Sequence, residues 1–273
     1  MKQIFIAVLG LFAFSAQVQA QPGRSGAIQF ESTFDPAALT AANGIKLSQE
    51  ATARIPKSSV TSFELLFNTD KASYKQAADP KINNNGRGSG VSYGGLGVFG
   101  GGISKDYYYD FKDHRLTQAF DLNDTLFLME DTLGMPPVVG FGTLHPAPAI
   151  KYIKSDERRD ILGFKCHKVT AMTTVKRKIQ GMEKEITDEV ILWYTDELGF
   201  DFSPNPVLWI AGTVLAIEGK GTRIEAKSIR YKEVDTRDVG LPENITTISR
   251  GQLRDKLESR RKQIHFSRIG SWN

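Results

Sequence analysis

The sequence predicts a mainly β fold, an antiparallel sheet with one short internal helix and a basic helix near the C-terminus. Three observations predict it. Apolar residues recur at every second position through most of the apolar stretches, the period of a half-buried strand. Clusters of glycine, asparagine and proline separate those stretches, as turns require. Helical spacing is confined to two short segments. A hydrophobic content of 40% and a mean hydropathy of −0.28 are ordinary for a globular chain.

The first twenty residues read as an export signal. Lys2 gives a positive start, residues 4–14 form a short apolar run, and Val18-Gln19-Ala20 puts small residues at the cleavage position. The run is about a dozen residues, against the roughly 20 that span a bilayer. No cysteine stands near Ala20, so the lipoprotein route is closed and the mature chain is expected to start at Gln21. The expected protein is exported, in the periplasm or at the outer-membrane periphery, with no membrane span after signal removal. Residues 21–273 are expected to form one β domain. A formal net charge of +4 over 273 residues is too slight to argue for nucleic acid.

Residues 26–35 (GAIQFESTFD) set Ile28, Phe30 and Phe34 against polar neighbours and predict a strand that Pro36 ends. The alanine-rich run 37–54 is interrupted by Asn43-Gly44, and one short helix is expected after that break. Residues 59–76 read as a hairpin: Phe63, Leu65 and Phe67 share a face, 68–71 turns, and Tyr74 returns on the partner strand. The stretch 79–104 is rich in glycine, asparagine and serine and is expected as a loop. Its GxGxxG (Gly95 to Gly100) and GxSxG (Gly90 to Gly94) lack the strand and helix that a phosphate site or a nucleophile elbow needs, and read as chance matches.

Residues 106–131 predict a three-stranded meander with Tyr107, Tyr109 and Phe111 on one face and a turn at 112–114. The proline-rich, apolar stretch 133–148 is expected to cross between two groups of strands without regular structure, packed as a cover. Further on, strands are expected from 150 to 154, 164 to 174, 189 to 195, 207 to 218 and 222 to 232. Turns are expected at 155–160, at the charged 176–188 and at 219–221. Ser249 is placed to cap a helix through about Ile264, with Leu253, Leu257 and Ile264 on one side and cations over the rest.

Little in the chain suggests catalysis. The lone cysteine, Cys166, sits in a strand-like run and reads as a small buried residue; on a strand its neighbour His167 points to the other face. The four histidines are scattered, with no HExxH and no Cys/His cluster, so no catalytic residue, metal or cofactor is expected.

Three blocks carry a resemblance. Ile161, Gly163, Phe164, Cys166 and Lys168 form the first; Trp193, Tyr194, Thr195 and Glu197 the second; upstream, Leu65, Phe67, Ser73 and Tyr74 a third. In order and spacing they resemble the GLPGLI family of exported Bacteroidetes proteins, over most of the mature chain. Where that family reads Gly-Leu-Pro-Gly-Leu-Ile, this chain has Trp209-Ile-Ala-Gly-Thr-Val-Leu, keeping Gly212 but lacking the proline and a glycine. The resemblance implies an exported, strongly curved antiparallel sheet, an open half-barrel or bowl, and carries over no functional residue.

Such a sheet presents a concave apolar face. The function expected is a non-catalytic binding or carrier-like module for a lipid or other amphipathic ligand, contacted by Phe63, Phe67, Tyr107, Tyr109, Phe111, Trp193 and Trp209. The alternative is a protein- or glycan-interaction scaffold with an outer-membrane protein as partner. A hydrolase whose site assembles from distant residues is the third reading.

Overall fold

Strand β1 (Gly26–Phe34) lies inside a twelve-stranded sheet and pairs antiparallel on both sides, with β2 (Ser59–Phe67) and with β13 (Thr222–Tyr231). The computed structural model describes residues 25–42, 58–77, 105–122, 125–134, 138–140, 143–145, 148–179 and 182–270, with isolated positions between 44 and 54. The expected export signal and the glycine-rich stretch at 79–104 lie outside them.

From β2 the sheet runs outward through β3 (Lys71–Gln76), β4 (Lys105–Asp110), β5 (Arg115–Leu122) and β6 (Thr125–Thr132). From β13 it runs the other way through β12 (Thr213–Gly219), β11 (Met182–Thr195), β10 (Phe164–Ile179) and β9 (Ala149–Ile161). β1 therefore joins two five-stranded meanders. The sheet is open, not closed into a barrel, and antiparallel except where the short β14 (Thr246–Thr247) pairs parallel to β6. The expected hairpins at 59–76 and 106–131 form as the alternation predicts.

Helix α1 (Pro36–Ala42) precedes Asn43 and was not expected; of the stretch after the break, where the short helix was expected, only isolated positions are described, and Glu50 and Ala53 among them are helical. The reason is local. The Asp35 carboxylate accepts the Ala38 amide at 2.9 Å, and Pro36 occupies the first helical position, where its missing N–H costs nothing.

Two expected turns are strand. The polar run 155–160 continues β9, and the chain reverses at Leu162-Gly163, whose φ values of 54° and 87° suit a two-residue turn with both residues left-handed. Charge there marks an exposed strand, not a turn. The run 176–188 likewise continues β10 and β11, which stay paired out to Ile179 and Met182. In that register Lys176 stands opposite Glu185 and Lys178 opposite Glu183. A third correction concerns 207–218: only Thr213–Gly219 is strand, and Val207 and Leu208 are buried in irregular chain. Asn205 takes the amides a ladder would need: its side chain accepts the Val207 amide at 3.1 Å and its carbonyl the Leu208 amide at 2.9 Å.

The stretch 133–148 connects β6 to β9, strands toward opposite ends of the sheet. It is not free of regular structure: β7 (Val138–Gly140) and β8 (Thr143–His145) make a small separate hairpin.

After β13 the chain crosses one face of the sheet. The Ser73 hydroxyl donates to the Asp238 carbonyl at 3.0 Å, Val239 is buried, and Ile245 packs on Tyr108, Ala119 and Leu128. It pairs at β14 with the edge of β6, and α2 (Arg250–Gly270) then returns on the other face. There Leu253 and Leu257 pack on Phe120, Leu122, Phe127 and Met129. Ser249 and Gln252 cap the helix reciprocally: the Gln252 amide donates to the Ser249 hydroxyl at 3.2 Å, and the Ser249 amide to the Gln252 side chain at 2.8 Å. The helix is longer than expected from Ser249 to Ile264, and the Ile264 side chain lies outside the described residues.

One polar contact pins α2. The Asp131 side chain is 1% exposed, accepts Arg250 Nε at 2.8 Å and a second guanidinium nitrogen, and accepts Gln118 at 3.1 Å. Burial raises the Asp131 carboxyl above its usual range; Arg250 and Gln118 pull it down without cancelling that effect.

Two predictions follow from these contacts. Leu162→Asn, which tolerates a left-handed backbone better than leucine, raises stability by about 0.5–1 kcal/mol in urea unfolding. Arg250→Ala leaves a buried carboxylate without its cation and lowers stability by about 2 kcal/mol at pH 7. A raised folded-state value means that the native state binds the Asp131 proton more tightly than the unfolded chain, so the charge is costly above that value. The Arg250→Ala loss should therefore shrink as pH falls toward 4, read from denaturation midpoints at each pH.

Candidate functional site

Pairing register places four of the seven candidate contact residues on one face. Phe67 faces Ala72 and Ala72 faces Tyr109; Tyr74 faces Tyr107; Phe30 faces Phe63. Phe63, Phe67, Tyr107 and Tyr109 thus share one face with Phe30 and Tyr74, and Phe111 and Trp209 pack into the same cluster. By register, Trp193 stands on the opposite face, in line with Ala216, Glu225 and Glu31.

The shared face is not open. Residues 196–212, between β11 and β12, lie against it. Phe202 is fully buried, with its ring centroid 5.7 Å from Phe30, 5.5 Å from Tyr74 and 5.4 Å from Tyr109. Phe200 sits 4.7 Å from Phe67 and 5.6 Å from Phe111. Trp209 stacks on Tyr109 at 5.9 Å, while the Tyr109 hydroxyl donates to the Ser203 carbonyl at 3.2 Å. Gly134, from the chain after β6, lies against the same indole; a Cβ there would stand 3.3 Å from its nearest ring atoms. Burial holds the Tyr74, Tyr107 and Tyr109 phenols well above their usual range. It pushes Tyr152 up to about 12, against a backbone hydrogen bond from Trp209. These rings are a packed interior.

Gly212 makes that packing possible. Its φ is 95°, and a Cβ would stand 2.7 Å from Asp196 Oδ1 and 2.8 Å from the Tyr194 ring. Its amide donates to Asp201 Oδ1 at 2.7 Å and its carbonyl accepts the Phe202 amide at 3.2 Å. The glycine closes residues 201–212 into a loop and delivers the chain to β12.

The opposite face carries charge. The Arg159 guanidinium lies 4.7 Å from the Trp193 ring centroid and bridges Glu218 at 2.7 Å and Glu225 at 3.4 Å. Arg223 and Lys227 reach Glu225 at 2.6 and 2.7 Å, and Lys227 also reaches Glu31 at 3.7 Å. Burial would raise Glu225, but Lys227 and Arg223 hold it below the usual carboxylate range. An open cleft of about 390 Å³ runs beside this ladder, lined by residues 159–162, Arg223 and 225–227. The Trp193 indole nitrogen is buried without a protein partner among the described residues.

Cys166 is fully buried, and burial pushes its thiol up to about 11, with Arg159 pulling the other way. It is a thiol at neutral pH, without nucleophilic character. The four histidines fall on four separate places: the β4–β5 turn, β8, β10 and α2. Phe200, Phe202 and the Arg159 ladder escaped the reading of the sequence. The Phe-x-Phe alternation at 200–202 was a usable signal, hidden between Gly199 and Pro204.

No protein-family model and no curated protein sequence matches the chain. Among solved structures it is similar to PNGF-II. In the C2 crystal form the TM-score is 0.50 at 17% identity, over 85% of this chain and 32% of PNGF-II. In the P21 form the values are 0.48, 15%, 85% and 33%. The chain spans about a third of the length of PNGF-II. At this identity the likeness concerns the fold alone.

Phe202→Ala removes the ring around which the face is packed and lowers stability by about 3–5 kcal/mol. Denaturant unfolding followed by tryptophan fluorescence checks it.

Proposed function

We propose that the protein is an exported, non-catalytic interaction module of the GLPGLI type, a curled β-sheet that engages a protein partner through the face bearing Trp193 and Arg159. The observation that carries this reading is the filled interior. A ligand on the aromatic face would have to displace Phe202, which meets three rings, and Trp209, which stacks on Tyr109 and hydrogen-bonds Tyr152 through its backbone. The scaffold reading needs no such displacement.

Two lengths in the sheet favour the curl. β6 and β9 are ten strand steps apart, roughly 48 Å in a flat sheet at the usual strand spacing. The connection between them contains a hairpin that doubles back, which cuts its reach to roughly 40 Å. Arg159 on β9 also meets Glu225 on β13, four steps away, a gap that a flat sheet would put beyond the two side chains together. Bulges between Gln29 and Phe30, Trp193 and Tyr194, and His167 and Val169 supply the bending.

The opposite face suits recognition because its charges are already paired. Arg, Glu and Lys side chains held in a network around an aromatic ring give a rigid, mixed-sign surface, and such surfaces choose partners by electrostatic complementarity. The test is site-specific photo-crosslinking in the source cell. A crosslinker at Lys227 should give one discrete protein adduct, weakened several-fold by Arg159→Ala, while one at Glu258 on α2 gives none. The reading is overturned if Lys227 yields no adduct, or if both positions yield the same one.

A further inference from the structure

Where α2 leaves the sheet it forms a groove with the β5–β6 hairpin. Leu253 and Leu257 dock the first turns. The next position on that stripe, three residues on, is Arg260, which cannot extend the apolar contact. Helix and hairpin part there around a volume of about 420 Å³, the size of a small-ligand site. Leu122 and Phe127 make its apolar wall; Lys256, Arg260, Asp255 and Ser259 line the helix side.

The groove is electrostatically one-sided. Lys256 and Arg260 are one turn apart on the same flank of the helix. Lys256 Nζ is held 4.3 Å from the Phe127 ring centroid, and among the described residues neither cation forms an ion pair. Asp255 stands 4.0 Å from Arg254, and the Ser259 hydroxyl already donates to the Asp255 carbonyl at 2.9 Å. The helix contains seven Lys or Arg against two acidic residues, a net +5 in a chain whose total is +4. The charge excess of the whole molecule is thus concentrated on this one element.

We propose that this groove binds an aliphatic monocarboxylate. The carboxylate sits between the Lys256 ammonium and the Arg260 guanidinium, and the hydrocarbon chain lies along Leu122 and Phe127. Two cations without an ion-pair partner among the described residues supply charge-assisted hydrogen bonds to one anionic group. Asp255 at the rim disfavours a second anionic group on the ligand. The site is separate from the Trp193–Arg159 face, so the two proposals stand or fall independently.

Titration of the full chain with dodecanoate, dodecanol and dodecyltrimethylammonium, each below its micelle concentration, tests it by calorimetry and backbone amide shifts. Dodecanoate should bind one to one and shift the amides of Leu122, Phe127, Lys256 and Arg260, with the other two probes at least tenfold weaker. Lys256→Gln and Arg260→Gln should each weaken dodecanoate about tenfold, while Arg254→Gln, on the far flank, changes it less than twofold. Circular dichroism identifies a variant that has failed to fold, in which case the comparison of probes on the unaltered chain decides. Absence of saturable dodecanoate binding overturns the proposal. So does dodecanol binding as tightly as dodecanoate, or an equal loss in Arg254→Gln.

Discussion

A long antiparallel sheet with aromatic residues on one face has to cover that face, because each exposed ring leaves an apolar surface in water worth a few kcal/mol. Here the cover comes from the chain's own residues 196–212. Phe202 meets Phe30, Tyr74 and Tyr109, rings contributed by three strands from both sides of the β1–β2 pairing. Much else depends on this contact. It ties the two meanders together across their shared face, gives Trp209 a platform, and requires Gly212 to turn the chain back into β12.

The ends of the sheet are handled differently. At β6 the C-terminal segment passes from one face to the other, pairing briefly as β14 and docking α2 through Leu253, Leu257 and the Asp131–Arg250 contact. At the other end β9 is long, with alternating charges that discourage pairing with another chain. Lys151, Lys154, Glu157, Arg158 and Asp160 make it a solvated edge. The polarity that suggested a turn at 155–160 is the ordinary chemistry of an edge strand.

Function follows from which surfaces are left. The candidate residues were aromatic, and all seven, Trp193 at 8% exposed among them, are buried in the packed cluster or packed against it. Aromatic residues on a strand face look the same in sequence whether they line a cavity or a core. The distinction depends on Phe200, Phe202 and Trp209, which sit about 90 to 170 residues from the rings they cover. The Arg159 ladder and the α2 groove are built from side chains on separate elements. No local spacing announces either one.

By itself the sequence determined what local chemistry decides. Period-two alternation placed the hairpins at 59–76 and 106–131, residues 219–221 placed a turn between β12 and β13, and Ser249 placed a helix start. Strand against turn was misjudged at 155–160 and 176–188, because charge is compatible with both and only pairing partners separate them. The tertiary structure decided the strand order around β1, the filling of the aromatic face and the meeting of Arg159 with Glu218 and Glu225. Each of these joins residues far apart along the chain, and their free energy appears only when distant segments exclude water together.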